Sequence, residues 1–423
     1  MPAPKLRTYR LADLGCKVNQ YETQLMAEKL EAAGLRPAGS DETADLCVVN
    51  TCAITGTAAA KSARAVRRLR RGNPGALLVV AGCAVSASGK EAVLQRTGAD
   101  LALEQHEKLD LPGVPVTPSR QIGGISRFDS HRRAFLKVQD GCQSFCSYCI
   151  VPHLRGDPRS RPLEEIRREA AALQQSGHRE LVVSGVHLGL YGRDLPGSPP
   201  LATAVAAVVA AAPDCRVRIS SLDPSELDEQ LLELMAAEPR ICPHLHLPLQ
   251  SGDDRVLRAM RRPYDSARFL EAAERARRHL DSPGITSDVI VGFPGETDEA
   301  FANTVEVCRR AALARLHVFP FSPREGTPAA TMPDQVPAGR TRARVGELIA
   351  AGAQLAAGFA QGLVGREEFV LAEERLEAGR VGGYCSRYVR VAFDCPRPQI
   401  GSLYRVTLTA AKEGELQATL AER

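Results

Sequence analysis

The chain has 423 residues, of which 44% are hydrophobic and 25% charged, the composition of an ordinary folded protein with about two or three domains. A formal net charge of +4 excludes binding to nucleic acid through bulk charge alone, and twelve cysteines indicate metal or redox chemistry rather than disulfides. The longest apolar run, at 201–212, is far shorter than the ~20 residues of a membrane helix, and the first residues carry no secretory signal. We therefore expect a soluble, cytoplasmic protein with no membrane partner.

The first predicted unit, residues 1–118, alternates strands with helices, which indicates a parallel sheet covered by helices. The predicted elements are strands at 6–14, 46–49 and 77–80 and helices at about 22–33 and 58–71. The second helix carries the basic run RAVRRLRR at 64–71. Such a run is usually a solvated helix face, and the alternative is a phosphate-binding surface.

Three cysteines of this unit follow predicted strands. Cys16, Cys52 and Cys83 each stand just beyond the carboxyl end of a strand, which is the edge where open α/β sheets bind ligands. Their loops could converge to hold an iron–sulfur cluster, whereas scattered cysteines are also common as isolated buried thiols. Cys47, inside a strand, is interpreted as a small buried hydrophobe.

A Gly/Ser/Arg linker at 119–133 leads to the stretch AFLKVQDGCQSFCSYC, in which Cys142, Cys146 and Cys149 have C-x3-C-x2-C spacing after a short strand. Three thiolates on one loop can hold three irons of a [4Fe–4S] cluster, and because no fourth cysteine follows in the loop, one iron keeps an open position. The alternative is a structural zinc site with His153 as fourth ligand.

Six strand and helix units follow in the central part, which indicates a partial barrel. Active sites on such barrels lie at the carboxyl ends of the strands, where we place Gly185, Arg218, Ser220 and Gln250. His244 and His246 alternate on one strand and are interpreted as cavity or core histidines, with a metal pair as the alternative. The predicted strands are 134–138, 180–186, 215–222, 244–248, 285–291 and 314–321, and the predicted helices are 162–176, 201–212, 225–238, 266–280 and 298–312.

The last part of the chain contains a helix at 341–361 and then short β-type runs at 368–372, 388–393, 401–408 and 416–419. This pattern with glycine turns predicts a small antiparallel barrel. Residues 362–423 contain nine basic and nine acidic side chains, so that any affinity for RNA would need a local face such as Arg387, Arg390 and Arg397.

The cysteine motif, with Tyr148 before its last cysteine, resembles the signature of the radical-SAM enzymes. The resemblance implies a (β/α)6 core and S-adenosylmethionine (SAM) bound at the open iron, where an electron from the cluster cleaves the sulfonium to a 5′-deoxyadenosyl radical. It also implies an electron donor such as flavodoxin or ferredoxin. The SAM contacts that we expect are Tyr148, Gly185, Arg218, Ser220 and Gln250.

GCKVNQYET, NTCAIT, AGCA and DGCQSFCSYC together resemble the methylthiotransferase branch of these enzymes. The resemblance implies an auxiliary [4Fe–4S] cluster on Cys16, Cys52 and Cys83, hence two clusters. In position and size, the predicted C-terminal barrel resembles the TRAM domain, an RNA-binding barrel. The expected architecture is an N-terminal parallel α/β domain (1–118), a partial (β/α)6 radical-SAM barrel with its linker (119–361) and a small antiparallel β-barrel (362–423).

The segment GCKVNQYE at 15–22 resembles the methylthiotransferases that act on N6-threonylcarbamoyladenosine in the tRNA anticodon stem-loop, at position 37. The implied reaction inserts a methylthio group at C2, with SAM as both radical source and methyl donor. The alternatives are action on isopentenyladenosine in tRNA, action on a ribosomal-protein aspartate, and a non-catalytic, metal-stabilised RNA-binding protein.

Overall fold

The computed structural model describes residues 6–54, 56–112 and 124–421, so that residues 119–123 of the predicted linker lie outside the described residues. The strands are β1 (Thr8–Asp13), β2 (Arg36–Pro37), β3 (Leu46–Thr51), β4 (Leu77–Gly82), β5 (Leu101–Leu103), β6 (Ala134–Asp140), β7 (Arg159–Ser160), β8 (Glu180–Gly185), β9 (Arg216–Ile219), β10 (His244–His246), β11 (Gly284–Val291), β12 (Arg315–Pro320), β13 (Glu367–Arg375), β14 (Arg380–Cys385), β15 (Arg390–Asp394), β16 (Leu403–Lys412) and β17 (Glu415–Leu420). The helices are α1 (Lys17–Ala32), α2 (Gly56–Gly72), α3 (Cys83–Ser88), α4 (Lys90–Thr97), α5 (Val151–Arg155), α6 (Leu163–Gln175), α7 (Leu201–Ala211), α8 (Glu229–Ala237), α9 (Asp254–Ala259), α10 (Ser266–His279), α11 (Asp298–Arg310) and α12 (Ala338–Gln361).

The N-terminal sheet is parallel, with the strand order β2-β1-β3-β4-β5. Helix α1 covers one face through Met26 and Leu30, and α2 covers the other through Val66 and Leu69. Because both faces are covered, β3 is buried along its whole length, and its first four residues, 46–49, form a continuous apolar run. The helix predicted to begin at residue 22 begins at Lys17, and its first turns bury the polar Asn19 and Glu22 beside Val18 and Tyr21.

The central strands form a curved, mainly parallel wall. β7-β6-β8-β9 and β10-β11-β12 are two hydrogen-bonded groups, which the parallel bridges Val217–Ile241 and Ser221–His246 join. β7 is a short antiparallel addition that was not predicted. Helices α6, α7, α8, α10 and α11 pack outside this wall and share one large core with it. The predicted α/β fold class with a partial barrel is confirmed, and the carboxyl ends of its strands face one cavity.

Residues 367–420, all with described backbone, form a closed barrel in the order β13-β14-β15-β17-β16. An odd number of strands cannot alternate in direction all the way round, and β15 and β17 accordingly pair in parallel. Strand β14 was not predicted, because Gly382 and Gly383 interrupt its apolar pattern. Glycine is required at Gly383, where a Cβ atom would overlap with the carbonyl oxygen of Leu371 on the neighbouring strand.

The C-terminal barrel docks on the central wall through two buried arginines. Arg216 donates hydrogen bonds to the carbonyl oxygens of Phe369 at 2.7 Å and Tyr384 at 2.9 Å, and Arg218 donates to that of Ser386 at 2.9 Å. Both guanidinium groups pair with the fully buried Glu180, at 2.5 Å and 2.7 Å. These ion pairs and hydrogen bonds compensate for removing the charged groups of Arg216, Arg218 and Glu180 from water.

Replacing Gly284 by alanine is expected to loosen this docking. A Cβ atom there would overlap with the backbone carbonyl of Arg387, so we expect a loss of about 1–3 kcal/mol in the free energy of unfolding and faster proteolysis within residues 362–423. Chemical denaturation and limited proteolysis measure both effects. Gly346→Ala is the matched control, because no described atom lies within 4 Å of the added Cβ on α12 and alanine favours a helix by about 0.5–1 kcal/mol. Equal stability of the two variants would contradict the predicted contact.

Among the described residues, no helix combines the length and the apolar character that crossing a bilayer requires.

Candidate active site

A cavity of about 690 Å³ lies at the carboxyl ends of the central strands. The start of α1 in the N-terminal unit contributes Cys16 and Lys17, the central barrel contributes most of the wall, and the C-terminal barrel contributes Tyr388. Cys142, Cys146 and Cys149 line the same cavity as Cys16. All three structural units therefore meet at one chamber.

The loop that carries Cys142, Cys146 and Cys149 leaves β6 through Gly141, whose positive φ of 76° and close approach to Asp157 require glycine. The thiols sit in different surroundings. Burial raises the pKa of Cys149 to about 12. Burial also acts on Cys142, but hydrogen bonds with His187 and Ser144 outweigh it and lower the pKa of that thiol. The Arg262 guanidinium donates to Cys146 Sγ at 3.2 Å.

The second cysteine group lies at the edge of the N-terminal sheet, as predicted from the strand ends. Cys16 precedes α1, Cys52 follows β3, and Cys83 opens α3 directly after β4. The three thiols are close enough to interact electrostatically, and burial raises the pKa of Cys52 and Cys83. Gly15 packs directly on Cys52, where a Cβ atom would lie 2.7 Å from Sγ.

The spacing of these sulfurs distinguishes a cluster from a single metal ion. A tetrahedral zinc ion with Zn–S bonds of about 2.3 Å brings its sulfur ligands to about 3.8 Å from one another. Among the described residues, the one group of potential metal ligands whose donor atoms all lie within 4.8 Å of one another contains no cysteine. His153, the proposed fourth zinc ligand, packs its exposed ring edge-on against Phe145. Neither set of three free thiols, among the described residues, is therefore drawn together as closely as a single zinc ion requires.

Every residue predicted to contact SAM lines this cavity, but the side chains differ in what they can still bind. Arg218 has its donors engaged by Glu180 and by the C-terminal barrel, so its role is interdomain docking. Gly185 is closely packed, since a Cβ atom there would lie 2.9 Å from Leu188 Cδ2, which would have to move. Ser220 accepts a hydrogen bond from Lys17 at 3.0 Å. Tyr148 and Gln250 remain candidates.

Further residues of the site were not found from the sequence. His187 lies 3.3 Å from Cys142 Sγ through Nδ1 and 2.7 Å from Glu226 through Nε2. Arg262 pairs with Asp223, and thereby links the Cys146 loop to the loop after β9. Neither residue stands in a motif, and only the His187 segment SGVHLG, at the end of a predicted strand, offered a signal.

His244 and His246 line the cavity, in agreement with their interpretation as cavity or core histidines. His244 is buried, with Nε2 3.1 Å from Thr286 Oγ1. His246 and His317 flank Asp288, at 3.3 Å and 3.0 Å from its two carboxylate oxygens. Burial raises the pKa of Asp288, but the two histidines outweigh it and hold the pKa of this carboxyl well below its usual range. Their donor atoms are close enough to hold a metal ion, although in the structure they satisfy one another as hydrogen-bond partners.

A buried network of charges joins the two cysteine loops. Glu22, six residues after Cys16, pairs with Lys137 at 3.0 Å, with Arg155 at 3.1 Å and with Lys108. Arg155, six residues after Cys149, also pairs with Asp140 at 2.9 Å. Because breaking a buried pair leaves an uncompensated charge, the network fixes the N-terminal sheet against the barrel at the cavity.

Two family models match the chain, the radical SAM superfamily at residues 136–308 and the uncharacterized protein family UPF0004 at residues 8–104. The threonylcarbamoyladenosine tRNA methylthiotransferase MtaB of Bacillus subtilis is 35% identical over 96% of this chain and 94% of its own length. A tRNA-2-methylthio-N(6)-dimethylallyladenosine synthase of Carboxydothermus hydrogenoformans is 32% identical over 98% and 99%. The solved radical SAM methyltransferase TsrM of Kitasatospora setae shares the fold, with a TM-score of 0.58, 16% identity and 77% of each chain covered.

Proposed function

Because this chain belongs to the radical-SAM tRNA methylthiotransferase family, we propose that it inserts a methylthio group at C2 of N6-threonylcarbamoyladenosine at position 37, beside the tRNA anticodon. The observation that carries this proposal is that Cys16 of the N-terminal set lines the same cavity as Cys142, Cys146 and Cys149. One cavity can then present a single substrate base to both sites. We assign residues 1–118, 119–361 and 362–423 to the auxiliary-cluster, radical-SAM and TRAM-like domains.

The clusters and SAM, when bound, would supply the hydrogen abstraction and the sulfur that replace an unreactive C–H bond by a C–S bond, which acid–base side chains cannot do. The residues of the chain hold and orient these groups. Cys142, Cys146 and Cys149 would ligate one cluster and leave a position for SAM, and Cys16, Cys52 and Cys83 would ligate the other. Arg262 donates to Cys146 Sγ and stabilises negative charge on that sulfur.

The choice of substrate rests on the cations of the cavity wall, most of whose remaining surface is apolar. The 35% and 32% identities to the two kinds of tRNA methylthiotransferase differ too little to decide between them. An isopentenyl group is apolar, whereas a threonylcarbamoyl group carries a carboxylate and a hydroxyl. The cavity is lined by Lys17 and Arg133 beside hydroxyl and imidazole groups, which favours the polar and anionic substituent. Phe319, 43% exposed and lining the same cavity, offers a surface on which the adenine can stack.

The tRNA would reach this cavity from its open side, in the cytoplasm, and an electron donor such as flavodoxin or ferredoxin would reduce the cluster. Helix α2 presents Arg64, Arg67, Arg68 and Arg71 to solvent, and these side chains suit contacts with phosphates. Arg387 is not available for the RNA-binding face predicted on the C-terminal barrel. Its guanidinium group pairs with Glu368 and donates to the backbone of the central barrel. Arg390 also pairs with acidic neighbours, and Arg397 is exposed.

Nucleoside mass spectrometry of tRNA tests this proposal. A strain without the protein should lose 2-methylthio-N6-threonylcarbamoyladenosine and accumulate its precursor, and the cloned chain should restore the product. Loss of the methylthio form of isopentenyladenosine instead would identify the first alternative substrate. Unchanged tRNA together with a lost modification on a ribosomal-protein aspartate would identify the second. Zinc alone in the purified protein would favour the non-catalytic RNA-binding alternative.

A further inference from the structure

Lys17 is a cation of the cavity wall without an anionic partner. It follows Cys16 at the start of α1, and its ammonium group donates to Ser220 Oγ at 3.0 Å. Within the described part of the chain, Lys17 forms no ion pair, whereas Arg155, Arg218 and Arg262, on the same wall, each have a carboxylate partner. The side chain of Lys17 is exposed because it extends into the cavity, whose walls surround it on most sides. It therefore has donor capacity left for a ligand.

The neighbours of Lys17 add to the positive charge at this end of the cavity. Arg133 and Arg218 lie close enough to interact with it electrostatically, and Asp288 is the carboxylate on the same side. Asp288 is already engaged by His246 and His317, and Glu180 by Arg216 and Arg218. Arg133 pairs with Glu373 at 2.8 Å through Nε and lies over the ring of Tyr388. An anion bound here would relieve repulsion among these cations.

The position of Lys17 restricts which anion can bind. It follows Cys16 in the chain and lines the same cavity, so that an anion on its ammonium group shares that cavity with Cys16 of the proposed auxiliary site. In adenine, N1 is bonded to both C2 and C6, and N6 is the exocyclic nitrogen on C6. A substituent on N6 therefore lies near C2, the carbon that reacts. A carboxylate on that substituent can meet Lys17 while C2 faces the cysteine set.

Resting on the proposed function, we propose that Lys17, supported by Ser220 and Arg133, binds the carboxylate of the threonylcarbamoyl group of the substrate adenosine. Lys17 is then a specificity-determining residue that separates this substrate from an adenosine with an uncharged N6 substituent. A charge-assisted hydrogen bond in an enclosed site supplies about ten- to a hundredfold of discrimination.

The test compares Lys17→Met with the unaltered protein on two anticodon stem-loop RNAs. One RNA carries N6-threonylcarbamoyladenosine. The other carries its methyl ester, in which an uncharged ester replaces the carboxylate. We measure kcat/KM for the methylthio product and Kd by fluorescence anisotropy. The unaltered protein should prefer the acid, and Lys17→Met should reduce the acid-to-ester ratio of kcat/KM by about ten- to a hundredfold. The ratio is independent of the fraction of active protein, so incomplete folding or cluster loading does not affect it.

Lys17→Arg, which keeps a charge, should restore part of the preference, and Lys90→Met, at the start of α4 and outside the cavity, should leave the ratio unchanged. An unchanged ratio in Lys17→Met, with an active unaltered protein, overturns the role of Lys17 and leaves the proposed function intact. Loss of SAM cleavage by Lys17→Met in the absence of RNA assigns Lys17 to the SAM carboxylate and also overturns the inference. An unaltered protein that neither binds nor modifies the acid RNA overturns the proposed function itself.

Discussion

Replacing Cys149 by alanine is expected to reduce SAM cleavage to the background rate. Cys149 is one of three thiols on the loop after β6, and with one ligand removed the cluster would have two protein sulfurs. The measurement is formation of 5′-deoxyadenosine under anaerobic reducing conditions, followed by chromatography. The N-terminal site has separate ligands, so the variant should retain about four irons per chain.

Cys308→Ala provides the control for this experiment. Cys308 is a fully buried thiol on α11 that belongs to the apolar core and does not line the cavity. Burial raises its pKa to about 12, so it remains a protonated packing residue. Cys308→Ala should keep SAM cleavage and both clusters. Wild-type cleavage rates in Cys149→Ala would show that the radical site is not on this loop.

Replacing Cys52 by alanine is expected to separate the two halves of the reaction. SAM cleavage at the other site should continue without coupling to product, while the methylthio nucleoside should fall below detection. The physical reason is that Cys52 follows β3 of the N-terminal sheet and lies against Gly15, next to Cys16, with no part in the loop of the other three cysteines. Mass spectrometry of the RNA together with 5′-deoxyadenosine analysis measures both halves in one reaction.

Cys47→Ala is the matched control, since Cys47 lies on β3, the strand that Cys52 follows, and is buried in the core with Val49 and Leu78. It should keep product formation, at a modest cost in stability from the lost sulfur. Methylthio product from Cys52→Ala at the wild-type rate would mean that the auxiliary site has been assigned to the wrong residues.

Much of the fold could be predicted from the sequence because its main signals are local. Apolar runs such as 46–49 and 77–80 mark strands buried between helices, and glycine and capping residues mark where the elements end. The position of Cys16, Cys52 and Cys83 just past such strands was enough to predict that they share one edge. The start of α1 was missed because Asn19 and Glu22 are buried by polar contacts that come from distant parts of the chain.

The rest of the site could not be predicted because it depends on contacts between remote segments. Arg262 reaches Cys146 across 116 positions of sequence, and Lys17 reaches Ser220 across 203. Arg218 stands at a strand end, which is typical of a ligand-binding residue, yet it holds the C-terminal barrel in place. Strand-end placement identifies the residues near a cavity, but the other partners of a side chain decide whether it can bind a ligand.

Anaerobic iron and sulfide analysis of three proteins measures how many clusters the chain holds and which cysteines hold them. The unaltered chain should contain about eight irons and eight sulfides, since each [4Fe–4S] cluster has four of each. A variant with Cys142, Cys146 and Cys149 all replaced by alanine, and one with Cys16, Cys52 and Cys83 replaced, should each retain about four. An unaltered protein with about four irons, all of them lost in one triple variant and kept in the other, would contradict the claim that two clusters face this cavity.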